Sequence, residues 1–291
     1  MDNEGSKETE SERLPIFYPR GSMVCTKSMY FYLSDFEEII DLFLMTVRLA
    51  ATADDYAERG AILSVTIDNA LMAASAIEKI TTEELEARRD ATLEKIKTDG
   101  ASKKLEKYSM MNARHLVTSL TDSFLTYVSH LIQSTLKKNR NTLKSGETVR
   151  IDDLLDFKKN SDLVNFLIDR KINELSYGGM RKIDEYAKDR LGIDMFRDNK
   201  ARGLLVIFLE LRNIHVHNRG YVNDVFLNRI RDQCGFAFHK NKRYQVDFSE
   251  SCTLANNCAD VAMRLDEVVS TKFHLERKRY VNWKKKPPRF V

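Results

Sequence analysis

The chain has 291 residues and a mass of 33.7 kDa, enough for one large domain or two small ones. With 43% hydrophobic and 31% charged residues it can bury a core and keep a solvated surface, which excludes collagen-like and wholly disordered classes. The formal charge of +4 is local: residues 277–291 hold seven basic side chains and no acid, while residues 14–276 balance at 38 of each sign, so a general nucleic-acid-coating field is excluded.

Prolines occur only at 15, 19, 287 and 288. Sandwiches and barrels need many tight turns, which recruit proline and glycine. The long proline-free interior therefore predicts helices joined by short loops. Cys25, Cys234, Cys252 and Cys258 form no CxxC pair, so zinc-finger and thioredoxin readings fall away and reduced thiols are expected. The start is acidic, with no apolar stretch of the secretory kind behind it, which predicts a cytoplasmic location. The longest strongly apolar run, 204–209, ends at Glu210 and is far short of a bilayer span, so no membrane partner is expected.

In chain order, residues 1–13 read as disordered and 14–33 as an extended aromatic arm packed on the body. Ser34 or Asp35 is placed to cap a first helix, with Phe36, Ile39, Ile40, Phe43, Leu44 and Val47 on one stripe. A second apolar stripe covers 55–80. A capping-box signature at Thr82, with Glu at the third helical position, opens the next helix, and Asp99-Gly100 stops it. A long helix is predicted over 103–138, a polar loop over 139–150, and shorter helices over 151–159 and 161–175. Gly178-Gly179 reads as a break, followed by helix over 180–190. Asp198 caps a helix running to about His217, apolar on nearly every side at 204–209 and hence buried. Asn218-Arg219-Gly220 reads as its stop. A weak alternation at 236–248 suggests a small hairpin, and a last helix covers 251–274. The resulting expectation is an all-α protein. Its parts are an N-terminal arm (1–23), an N-terminal helical layer (24–100), a helical bundle (101–276) and a basic tail (277–291), with at most a small β-hairpin.

Motifs for phosphate-cradling NTPases, dinucleotide enzymes, zincins and serine-elbow hydrolases are absent, and no metal or cofactor is expected. One segment stands out, ELRNIHVHNRG at 210–220. Charged and polar side chains at the end of the most buried helix are costly unless they pair or work. Arginine supplies a permanent charge and a planar fork suited to phosphate. Histidine supplies a proton donor or acceptor near neutrality. Together they can cleave a phosphodiester without a metal.

Arg212, four residues and His217, with Asn213 after the arginine, resemble the R-x(4–6)-H motif of the HEPN superfamily (higher eukaryotes and prokaryotes nucleotide-binding). The resemblance is sharp over about a dozen residues, architectural over roughly 105–275, and does not cover 24–98. It implies a helical bundle of HEPN type that forms a homodimer, with the two motifs facing each other in a cleft. It further implies an endoribonuclease that uses the ribose 2′-hydroxyl as nucleophile, in the manner of toxins and antiviral effectors, with an antitoxin or other regulatory partner. By that analogy His217 is the general acid/base, Arg212 contacts the scissile phosphate and Asn213 orients one of them. His215, Glu210 and Asn218 are auxiliary candidates, and His215 rivals His217. One subgroup carries H-x-Y after the arginine; Arg219 occupies that tyrosine place here. The implied alternative is a HEPN-like module that binds nucleotide or RNA, or serves as a scaffold, without catalysis.

Geometry sets a condition on the site. Five residues along a helix turn through about 140°, so Arg212 and His217 share no face. Either the helix ends before His217 or two protomers build the cleft. The same residues also have plain structural readings: Arg212 paired with an acid, and His217 as a cation at a helix C-terminus. Arg219, Arg277, Lys278, Arg279, Lys284, Lys285 and Lys286 are candidate RNA contacts, with Tyr280 and Trp283 able to stack a base. The tail reads equally as a solvated end.

Overall fold

The computed structural model describes residues 16–75, 81–143, 157, 159–230 and 234–288. The start expected to be disordered, most of the polar loop expected at 139–150 and most of the helix expected at 151–159 lie outside the described residues. The described chain is mostly helical, with one two-stranded antiparallel sheet. In order it runs β1 (Val24–Thr26), α1 (Lys27–Ser75), α2 (Thr82–Asp99), α3 (Ala101–Lys107) and α4 (Ser109–Lys138). A 3₁₀ turn at Arg140–Leu143 comes next. It continues with α5 (Asn160–Tyr186), a π-helical turn at Ala187–Leu191, α6 (Asn199–His217), α7 (Asp224–Arg229), α8 (Phe248–Phe273), β2 (Arg277–Arg279) and α9 (Tyr280–Lys285). No helix among the described residues is long and apolar enough to cross a membrane.

Two compact units divide the chain: Met1–Glu37 with Val117–Val291, and Glu38–Leu116. In the first unit, α8 runs through the core. Ala255, Cys258, Ala259 and Ala262 recur along one buried side of it, small enough for neighbours to approach closely. Tyr32 of α1 donates its hydroxyl to Cys258 Sγ at 3.6 Å, and Tyr127 of α4 donates to the Ala262 carbonyl at 3.0 Å. The Tyr32 and Tyr127 rings lie 5.4 Å apart, and Phe36 packs edge-on against both Tyr32 and Phe17. Rings of this size carry much of a core's burial.

The first helix begins at Lys27, not at Ser34 or Asp35. Thr26 closes β1 and its Oγ1 accepts the N–H of Met29, the bond an N-cap residue makes. Met29, Tyr32 and Leu33 are fully buried, so the segment expected to be extended is helical from 27 because that aligns three core side chains. The helices expected on either side of residues 51–54 are one helix through Ser75, with no proline or glycine to stop it there.

Other boundaries also moved. Tyr108 (φ −100°, ψ 8°) separates α3 from α4 inside the single helix expected over 103–138. The backbone passes helically through Gly178-Gly179, since glycine costs only about 1 kcal/mol within a helix. The stop is Gly192, in the left-handed region at φ 61°, where its carbonyl also accepts from Lys272 Nζ. No strand forms over 236–248; that segment contributes one bridge, Tyr221 to Arg243. The sheet lies instead between β1 and β2, pairing Val24 with Arg279 and Thr26 with Arg277.

The basic tail is therefore built in. Tyr280 is 2% and Trp283 5% exposed. Trp283 Nε1 donates to the Cys25 carbonyl at 3.1 Å, and the Tyr280 hydroxyl donates to Glu37 at 2.6 Å. An indole in the core outweighs the charges around it, which stay at the surface.

The second unit contains the rest of α1, α2, α3 and the start of α4. The capping box on α2 is made by Thr81 and Glu84, one residue before the start expected at Thr82. Asp54 of α1 accepts the N–H groups of Ala101 and Ser102, capping α3 in place of a local side chain. The Ser102 hydroxyl first, and then those N–H groups, hold its carboxyl below the usual range. Many apolar side chains on α1 here, such as Leu42, Leu49, Tyr56 and Leu63, are exposed, although the sequence stripe through 63 and 67 suggests burial.

Candidate functional site

Helix α6 presents the RNIHVHN segment. Asp198 caps its start by accepting the N–H of Ala201 at 2.8 Å. Leu204, Leu205, Ile207, Phe208, Leu209, Leu211 and Ile214 are buried, as the continuous apolar run requires. The helix end is fixed by two N–H groups, Asn218 and Gly220, that both donate to the Ile214 carbonyl at 2.9 and 2.8 Å. Arg219 (φ 51°) and Gly220 (φ 83°) occupy the left-handed region that this reversal demands. A Cβ on Gly220 would sit 3.1 Å from His215 Nδ1 and 3.2 Å from the Tyr244 carbonyl, so glycine is needed there twice over.

The candidate residues fall into three groups. Arg212 Nε donates to Asp122 Oδ1 of α4 at 2.9 Å, and its NH1 donates to Asn213 Oδ1 at 3.4 Å. The Arg212 side chain is 26% and the Asp122 side chain 52% exposed. An ion pair this open contributes only about 0–1 kcal/mol. It orients the guanidinium without sealing it off.

His217 is exposed in the last helical turn. Beside it, Asn218 Nδ2 donates to the Tyr221 carbonyl at 2.6 Å, and Arg243 Nε donates to the Arg219 carbonyl at 3.0 Å. Asn218 thus serves the helix stop, while the Arg219 side chain remains exposed. Glu210 forms the third group by pairing with Arg229 of α7 at 3.2 Å. His215 is 5% exposed and lies against Gly220, inside the fold.

Because α6 stays helical through His217, the two motif residues point about 140° apart within one chain. The first geometric alternative, a helix ending before His217, is thereby removed.

No protein-family model matches this chain, and no curated protein or solved structure matches it either.

The tail candidates divide by their contacts. Arg277 donates to the Val24 carbonyl at 3.0 Å. Lys278 pairs with Glu276 at 2.8 Å and lies 4.5 Å above the Trp283 ring. Lys284 pairs with Glu37 at 2.6 Å and sits over Tyr280. Arg279, Lys285 and Lys286 are exposed. Trp283 and Tyr280, offered by the sequence as stacking platforms, are in the core and have no open face for a base.

Sequence reasoning missed Asp122. It lies 90 positions from Arg212, on another helix, among many acids of the same appearance. Nothing local marks it. Among the described residues no three His, Cys, Asp or Glu side chains are grouped as a metal site.

Proposed function

We propose that this protein is a HEPN-type endoribonuclease that acts as a homodimer and without a metal. One observation supports the reading above the others. Arg212 is aligned by Asp122 and Asn213, yet partly open to solvent, on the helix whose exposed end carries His217. Asp122 can yield the guanidinium at little cost, because a half-exposed pair is weak, and a phosphate accepts the same fork in bidentate fashion. One chain cannot direct Arg212 and His217 at one phosphate, so the reading requires a twofold contact in which each motif helix faces the other.

In such a cleft the histidine of one protomer takes the proton from the ribose 2′-hydroxyl. The freed oxygen attacks phosphorus, the bond to the 5′-oxygen breaks, and the second protomer's histidine returns a proton to that leaving oxygen. The arginines hold the charge that builds on the phosphoryl oxygens. The products are a 2′,3′-cyclic phosphate and a 5′-hydroxyl. A toxin or antiviral effector of this kind implies an antitoxin or regulatory partner that restrains it.

The test is RNA cleavage in EDTA. Arg212→Ala and His217→Ala should each abolish it while staying folded. Mixing the two inactive variants should leave cleavage absent, because no dimer they form carries both histidines together with an arginine. Wild-type cleavage by both variants would overturn the site assignment.

A second reading has its own support, since Arg212 is already satisfied by Asp122 and His217 points away. It is a non-catalytic module that binds nucleotide or RNA, or acts as a scaffold. RNA that is bound but left intact in the same assay favours it.

A further inference from the structure

A groove of about 170 Å³ opens between the start of α6 and the middle of α8, at the opposite end of α6 from the Arg212 segment. It is smaller than a typical small-molecule cleft of about 300–1,000 Å³, which suits a single compact group rather than a whole nucleobase and sugar. Three cations line it: Arg197, Lys200 and Arg264. Leu204 and Val261 add apolar wall.

The chemistry of the lining is specific. Asn257, Asp260, Val261 and Arg264 stand at i, i+3, i+4 and i+7 on α8 and so share one face. Asn257 Nδ2 donates to the Ala201 carbonyl at 3.0 Å, which ties that face to the first turn of α6. Arg264 Nε is buried at the atom and has no hydrogen-bond partner among the described residues. Its guanidinium lines the groove and brings a permanent charge and a planar fork suited to phosphate. The first turn of α6 adds backbone N–H groups with no partner inside the helix, of which Asp198 occupies only that of Ala201. The positive end of the helix dipole points the same way. Two acids oppose this charge: Asp198, engaged as the cap, and Asp260.

We infer that this groove binds a phosphate group, carried by a free nucleotide or by an RNA strand. Arg264, half-buried, is the anchor. Lys200 and Arg197 neutralise the remaining charge from the rim, and Asp260 limits the affinity. The site is separate from Arg212 and His217, so the inference stands whether or not those residues cleave RNA.

The experiment titrates the full chain at low ionic strength, following ³¹P line width with inorganic phosphate and with adenosine 5′-monophosphate. A parallel arm measures anisotropy of a fluorescent RNA hexamer bearing 5′-hydroxyl ends. Line broadening that Arg264→Met and Lys200→Met each weaken about tenfold or more supports the site. Asp260→Asn should tighten binding about three- to tenfold. A response in the nucleotide arm alone assigns the site to a free nucleotide, and a response of both arms assigns it to any accessible phosphate. Lys200 and Arg197 are exposed, so their variants keep the fold even where Arg264→Met does not. No broadening by phosphate or nucleotide, or wild-type binding by Lys200→Met and Arg197→Met, overturns the inference. Cleavage in EDTA by the same variants, unchanged from wild type, would separate this outcome from any failure of the Arg212 reading.

Discussion

Asp266→Asn tests how the sheet is joined to the core helix. Asp266 is 1% exposed on α8. It accepts the N–H of Thr26 at 3.0 Å and the Thr26 hydroxyl at 2.5 Å. Burial raises its pKa from 3.8 to about 6, against the Thr26 hydrogen bonds and the Arg277 charge, which lower it. A carboxyl with a raised folded-state pKa binds more protons folded than unfolded. Its contribution is complete below pH 3.8 and is lost as pH rises through about 6. The shift of about two units corresponds to a loss of about 3 kcal/mol across that window. Between pH 4.5 and 7.5 the part that falls due is about 2 kcal/mol. Asparagine keeps an acceptor for the Thr26 N–H and cannot ionise. The stability difference, variant minus wild type, should therefore rise by about 2 kcal/mol over that range. Urea unfolding at four pH values measures it. Parallel pH profiles for the two proteins would refute the reasoning, and would mean that Asp266 ionises freely in the folded state.

Further outcomes follow from other contacts. Trp283→Ala should cost about 3–5 kcal/mol, because the indole is buried and bonded to the Cys25 carbonyl; thermal unfolding by circular dichroism reads the loss. A solvated tail would show no change. Gly220→Ala should cost about 1–3 kcal/mol and broaden the His217 resonance in NMR, since its φ of 83° and the 3.1 Å approach to His215 leave no room for a methyl. Cys25 and Cys258 have thiols pushed up to about 12 by burial, so at pH 8 both should resist alkylation in the native state and react only after unfolding, as mass spectrometry can score. If the proposed ribonuclease reading holds, Asp122→Asn should lower the KM for RNA a few-fold in the cleavage assay, by freeing the Arg212 fork.

Much of the architecture was legible from local patterns. A continuous apolar run marked α6, leucine and valine at helical spacing marked α8, Asp198 marked a start, and Asn218-Arg219-Gly220 marked a stop, because each of those signals acts within a turn or two of chain. The errors share a cause. Where α1 begins follows from the burial of Met29, Tyr32 and Leu33 and from the cap Thr26, which Asp266 holds from 240 positions away. The residues grouped at 236–248 alternate, but no neighbouring strand offers a ladder there. The candidate site divides the same way. Its residue types and spacing were readable, while the partner of Arg212, the burial of His215 and the direction of His217 were not.

Length, composition and charge determined by themselves that the chain is helical, that its body is neutral and that its net charge sits at one end. They could not say what that end does. The tertiary structure decided it: Trp283 and Tyr280 enter the core, β2 pairs with β1, and three of the basic side chains are spent on Val24, Glu276 and Glu37. Composition counts charges but not their partners: Glu276 lies beside Lys278 in the chain, whereas Val24 and Glu37 lie more than 240 positions from Arg277 and Lys284 and meet them only through tertiary packing. The same packing created the groove at Arg264, a cluster of cations drawn from two helices that no run of sequence displays.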